Sequence, residues 1–145
     1  MATSDTGAEA FLEQSHVGWA AFITGDPEPV ERLFSRRDDV SVGNPFGPFV
    51  RGWSQSKAVI ERAAEYWREG EVVGFERIAT YGADDLVCFV EVERYRAKIG
   101  GSTEPALVAL RVTTVVRRED DGWKIACRHA DPITSARPAD SVLHG

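Results

Sequence analysis

Apolar positions recur every three or four residues in the first part of the chain and every second residue in its last half. Over residues 8–24, Phe11, Leu12, His16, Trp19, Ala20, Phe22 and Ile23 form a stripe at helical spacing. Gly25-Asp26-Pro27 supplies a stop. Residues 28–35 predict a short second helix, with acids in the first turn and Leu33-Phe34 on its buried side. A short strand follows at 39–42. Asn44-Pro45-Phe46-Gly47-Pro48 is a turn, and 49–51 returns as a strand. Residues 52–67 predict the third helix, with Val59, Ile60, Ala63, Ala64 and Trp67 as its stripe. Period two then takes over in strands at 72–81, 86–98, 105–118 and 123–132, separated by polar turns.

Helices first and antiparallel strands last indicate an α+β fold, with helices on one face of a curved sheet. A chain of 145 residues fits one domain. The expected division is an N-terminal tail at 1–7, a single domain at 8–133 and a C-terminal tail at 134–145. The net charge of −6 disfavours nucleic acid and anionic membrane as partners, since both are held by stripes of Lys and Arg. The apolar runs fall short of the roughly 18 residues a membrane span needs. The first residues carry neither a basic stretch nor an apolar one. Cys88 and Cys127 lie in apolar strand patterns, so a cytoplasmic protein with reduced core thiols is expected, a disulfide between neighbouring strands being the alternative. His16, His129 and the two cysteines lack metal-ligand spacing. There is no phosphate-cradling glycine loop and no nucleophile elbow. Neither a metal nor another cofactor is expected.

Strand parity supplies the candidate chemistry. Trp123, Ile125, Cys127, His129 and Asp131 alternate with Lys124, Ala126, Arg128 and Ala130. The first set is mostly apolar and should face the interior. In the preceding strand the matching set is Leu110, Val112, Thr114 and Val116, so His129 should lie opposite Val112 and Asp131 opposite Leu110. An imidazole beside a carboxylate is a ready general base, which makes His129 and Asp131 the candidate catalytic pair. The alternative is a core histidine bonded to backbone. Val112 and Thr114, with His16 and Trp19 on the first helix and Tyr66 on the third, are candidate ligand-lining residues. Core packing is the alternative for each. Glu91 and Glu93 share a strand face with Phe89 and Tyr95. They are either acids on the inner side of the sheet or partners of Arg94, Arg96 or Arg111. The outward set Arg111, Thr113, Val115 and Arg117 is apolar at its centre for a solvated face.

The segment from Arg111 to Arg118, then Asp121-Gly122-Trp123-Lys124-Ile125 and His129-Ala130-Asp131, resembles the SnoaL-like branch of the nuclear-transport-factor-2-like superfamily, which includes ketosteroid isomerases. Asp38-Asp39-Val40, Asn44-Pro45-Phe46-Gly47-Pro48 and Arg51-Gly52-Trp53 match the segment leading into that family's third helix. The likeness spans roughly residues 8–133. It implies a cone-shaped fold, a bent sheet wrapped around the long helix with a pocket at the open end, and a homodimer through the outer sheet face. The superfamily hosts isomerases, cyclases, dehydratases, epoxide hydrolases and non-catalytic association domains, so the fold alone does not select among them. The expectation is a small, partly apolar ligand in the cone. An isomerase, cyclase or dehydratase working by proton transfer is one reading, and a non-catalytic binding or association domain is the other.

Overall fold

A computed structural model describes residues 7–144. The elements run α1 (Ala8–Phe22), α2 (Glu28–Glu31), β1 (Ser41–Gly43), β2 (Val50–Arg51), α3 (Trp53–Ala64), β3 (Trp67–Ala83), β4 (Leu86–Ile99), β5 (Ala106–Glu119) and β6 (Gly122–Asp131). They build a six-stranded sheet in the order β2-β1-β6-β5-β4-β3, curved around the helices. The expected α+β architecture is present. The predicted C-terminal tail contains a 3-10 segment at Ala139–His144, and residues 1–6 of the predicted N-terminal tail lie outside the described residues.

The core lies between the helices and the inner sheet face. From α1 and its C-terminal cap, Phe11, Leu12, Trp19, Phe22 and Ile23 are all buried. Each side chain contributes roughly 1.5–3 kcal/mol on burial, and this anchors a helix too short to persist alone. Its C-terminus is pinned to β3, where the Gly70 N–H donates to Ile23 O at 3.1 Å. A Cβ at Gly70 would sit 2.4 Å from that oxygen, so only glycine permits the approach. Trp67 starts β3 instead of ending α3, and the bulge that follows holds Glu69 and Gly70.

β5 keeps the expected parity, and in β4 the face that carries Glu91 and Glu93 is the inner one. Phe89, Glu91, Glu93, Tyr95 and Ala97 of β4 face inward and are buried, as are Leu110, Val112, Thr114 and Val116 of β5. β6 does not keep it. Val116 pairs with Ile125, whereas Val115 pairs with Cys127, which leaves Ala126 as an unpaired bulge residue. One extra residue inverts the facing of everything after it. Ile125 faces inward, and beyond the bulge Arg128 and Ala130 are the buried inward residues. β1 then pairs in parallel with β6, Gly43 opposite His129, which carries the following turn to the mouth of the sheet. Cys88 and Cys127 both pair with Val115, one from each side, so a whole strand separates them. Two strand spacings are roughly 9.5 Å, too far for a disulfide, and both thiols are free.

Candidate functional site

A cavity opens between α1, α3, β1 and the inner face of the sheet. Its walls are Trp19, Phe22 and Ile23 from the α1 end, Val42 to Phe46 from β1 and its turn, Ile60 and Ala63 from α3, and Trp67. The sheet supplies Tyr95, Leu110, Arg128 and Ala130. About 40 Å³ is open to the centres of water-sized molecules. At 10–15 Å³ for each water, that is space for about three, or a ligand of roughly five or six heavy atoms.

The polar floor of this cavity is a buried ion pair. Arg128 Nη1 donates to Glu93 Oε2 at 3.0 Å and Nη2 to Oε1 at 2.9 Å. Tyr95 Oη donates to the same Oε1. Arg128 is 6% exposed and Glu93 1%. The two-pronged geometry is what repays desolvating both charges. Burial alone would push the Glu93 carboxyl up. The Arg128 charge and the hydrogen bonds from Arg128 and Tyr95 outweigh it, so Glu93 stays ionised, below the usual carboxylate range. Burial, then the neighbouring Glu93 charge, drives the Tyr95 hydroxyl well above its ordinary value, so it remains a donor. With three donors on its two oxygens, Glu93 is a poor proton acceptor.

Donors exceed acceptors here. A guanidinium carries five N–H groups. Among the described residues, Arg128 has no hydrogen-bond acceptor other than Glu93. Its guanidinium lies over the Trp19 ring, 3.7 Å from the centroid. The Trp19 Nε1–H is itself buried with no partner among the described residues. A buried donor left unmade costs about 1–3 kcal/mol. Two side chains of the cavity wall, Trp19 and Arg128, thus carry N–H groups with no acceptor among the described residues.

A second polar chain runs beside the first. His16 Nε2 is 2.7 Å from Glu91 Oε1, and Arg77 Nε donates to Glu91 Oε2 at 3.1 Å. Arg77 in turn holds Glu9 through both Nη atoms at 3.0 Å. The His16 ring stacks on Phe75 with centroids 3.7 Å apart. Glu91 and Glu93 are thus on the inner side of the sheet, ion-paired with Arg77 and Arg128 and, for Glu91, hydrogen-bonded to His16, rather than paired with Arg94, Arg96 or Arg111.

The remaining candidates divide. Trp19 lines the cavity. Val112 and Thr114 face inward and are buried, yet belong to the packed core away from the cavity wall. His16 is bound to Glu91 and does not border the cavity. Tyr66 stands outside it, its ring 4.9 Å from Phe46. The expected inward placement of His129 and Asp131 is incorrect. The Ala126 bulge turns both to the outer face, where His129 pairs with Thr113 and Asp131 with Arg111 rather than with Val112 and Leu110. There Asp131 accepts from Arg111 Nε at 2.8 Å and from the Ile133 N–H at 3.0 Å. Burial raises the Asp131 carboxyl, but these donors prevail and hold it low. His129 Nε2 is 3.4 Å from Asp131, and its side chain is 41% exposed. Sequence reasoning missed Arg128 because its charge argued for the outer face. The available signal was an arginine flanked by Ala126 and Ala130 in a chain that also puts Glu93 on an apolar strand face.

No group of three or more potential metal-ligating side chains occurs among the described residues. None of the described helices is long and apolar enough to cross a membrane.

Comparison with known proteins agrees with this architecture. The family described as SnoaL-like domain matches residues 12–133. No curated protein matches. Among solved structures, the chain is similar to a nuclear transport factor 2-like superfamily protein from Salmonella enterica, at 17% identity and TM-score 0.74, covering 96% of this chain and 99% of that one. A ketosteroid isomerase-like protein from Erwinia carotovora atroseptica aligns at 16% identity and TM-score 0.69, over 87% and 96% of the two chains. A Nostoc punctiforme domain of unknown function with a cystatin-like fold aligns at 19% identity and TM-score 0.64, over 99% and 84%. At these identities the likeness carries the fold alone.

Proposed function

Since this chain belongs to the SnoaL-like domain family, we propose that it binds a compact, partly apolar molecule in the cone through a neutral acceptor oxygen, such as a ketone, ester or amide carbonyl. The observation that carries this reading is the unpartnered Trp19 Nε1–H beside the half-used guanidinium of Arg128. Glu93 already neutralises Arg128, so a ligand carboxylate would bring an uncompensated charge into a dry site, at a cost that a neutral carbonyl avoids. The aromatic walls Trp19, Phe22, Phe46 and Trp67 suit the apolar body.

Two N–H donors on one carbonyl also polarise it. An isomerase, cyclase or dehydratase would need a base as well, and Glu93 is occupied. The inner face also holds the imidazole–carboxylate pair His16–Glu91, but neither residue borders the cavity and Arg77 holds the other Glu91 oxygen, so binding without proton transfer is the reading the cavity supports best. The test is cyclopentanone against cyclopentane and cyclopentanecarboxylate, followed by the Trp19 indole ¹⁵N–¹H resonance. The ketone should move that signal downfield and the other two should not. Equal responses to all three, or none, would remove the carbonyl reading and favour an association domain.

The proposal includes a homodimer through the outer sheet face. Its support is the outward set Thr113 and Val115 with Val90 and Val92, half-buried in the isolated chain rather than fully solvated. A monomer by light scattering at micromolar concentration would refute it.

A further inference from the structure

The cavity wall formed by the turn after β1 has a second side. An outer groove of about 140 Å³ is bounded by Phe46, Pro48, Val59, Arg62 and Tyr66. Asn44, Phe46 and Ala63 border both spaces. The turn itself is fastened. Asn44 Oδ1 accepts the Phe46 N–H at 2.9 Å, and Asn44 Nδ2 reaches Val59 O at 3.4 Å. The Phe46 side chain is not enclosed, at 44% exposed, and leans on Tyr66. The Phe46 ring, on a fixed backbone, therefore stands between the inner cavity and the outer groove, with Asn44 and Ala63 beside it. A rotamer change at that ring joins them.

The outer groove has a different chemistry from the inner cavity. Phe46, Pro48 and Val59 give it an apolar floor. On its rim Arg62, in the last turn of α3, is exposed and has no carboxylate within ion-pairing distance among the described residues. On the same helix, by contrast, Lys57 is held by Glu61 at 2.8 Å. The Tyr66 hydroxyl likewise has no hydrogen-bond partner among the described residues. An apolar trough ending in an unspent cation and a phenol fits a short alkyl chain ending in a carboxylate.

We infer that the ligand is bipartite: a carbonyl head taken by Trp19 and Arg128, and a carboxylate tail that leaves past Phe46 to Arg62 and Tyr66. This rests on the carbonyl reading of the cavity and adds the ligand's other end. The charge pattern sets the orientation. The inner cation is neutralised by Glu93 and the outer one is free, so the neutral end goes in and the anionic end stays out. The molecule is then an oxo acid with a flexible spacer.

A matched set of linear probes tests this: 6-oxoheptanoate, 2-heptanone and heptanoate, with 4-oxopentanoate and 8-oxononanoate to vary the reach. Titrations of ¹⁵N-labelled protein follow the Trp19 indole signal, identified by its absence in Trp19→Phe. At least one oxo acid should bind about two- to fivefold more tightly than 2-heptanone, the return expected of one partly exposed ion pair. Arg62→Ala should abolish that excess and leave 2-heptanone binding unchanged. Trp19→Phe, followed through its backbone amide signals, should abolish the preference for 6-oxoheptanoate over heptanoate. If every oxo acid binds no better than 2-heptanone, or the excess survives Arg62→Ala, the bipartite ligand is wrong while the carbonyl cavity stands. If no ketone moves the indole signal, cyclopentanone included, the cavity reading itself has failed.

Discussion

Removing one charge from the cavity floor should cost far more than removing both. In Arg128→Met the thioether replaces the guanidinium at similar length, but Glu93 stays 1% exposed and keeps only the Tyr95 donor. Breaking a buried pair in this way costs about 3–5 kcal/mol. For a chain of this size that lowers the melting temperature by roughly 10 °C. The double variant Arg128→Met/Glu93→Leu leaves no orphaned charge and should recover most of the loss, to within about 1–2 kcal/mol of wild type. The pH dependence has a definite sign. In the wild type the Glu93 carboxyl is held below its unfolded value, so its contribution is present above the unfolded value and is lost as pH falls through the folded one. Without Arg128, burial is the largest remaining influence and the folded value rises. The single variant should then lose stability as pH rises above that of an unfolded glutamate, and be weaker at pH 8 than at pH 5. Urea melts at both pH values measure this. A loss under 1 kcal/mol at pH 8, or a double variant no better than the single one, would mean that the bidentate pair does not hold the floor together.

A second acid should behave in the opposite sense to wild-type Glu93. Burial, then hydrogen bonding and charge from Glu61, push Glu31 up to about 7, and its Oε2 is buried without a partner. It weakens the fold as pH rises from the unfolded value toward 7, so Glu31→Gln should gain up to about 2–3 kcal/mol at pH 8 and little at pH 4.5, read by urea melts. His129→Ala should leave cyclopentanone affinity within twofold of wild type, because the side chain stands on the face away from the cavity; a larger loss by titration would restore the acid–base role. Trp123 is only partly buried, with Arg118 stacked over its ring at 4.7 Å, so Trp123→Ala should cost about 1–3 kcal/mol, less than full burial would give. A urea-melt loss above 4 kcal/mol would contradict that placement.

Most of the fold was legible because its signals are local. The switch from helical to alternating spacing marked the order of the longer elements, and the inner face of β5 follows from simple alternation, whereas in β4 the wholly apolar set Leu86, Cys88, Val90 and Val92 is the outer one. The site was less legible for a reason that lies in one residue. Ala126 is small and apolar, and nothing in its type announces a bulge, yet it reverses the facing of Arg128, His129 and Asp131. The adjacent buried pair Ile125-Ala126 breaks alternation, and that is the trace the bulge leaves in the sequence. Glu93 and Arg128 lie on strands that are not neighbours, with β5 between them, so their pairing depends on the curvature of the sheet and not on any spacing along the chain. Trp19 was readable as a ligand-facing residue from its stripe on α1. Its unmet N–H was not, because that depends on what the folded chain fails to bring near it.

The central claim is that the cone presents unspent N–H donors to a neutral oxygen. A crystal structure of the protein soaked with cyclopentanone tests it most directly. The ketone oxygen should lie within about 3.2 Å of Trp19 Nε1 or an Arg128 nitrogen, with the Arg128–Glu93 pair intact and the ring against Trp67 and Phe22. Cyclopentanone bound with its oxygen turned away from both residues, or bound on the outer face beside His129 and Asp131 with the cone empty, would contradict the claim.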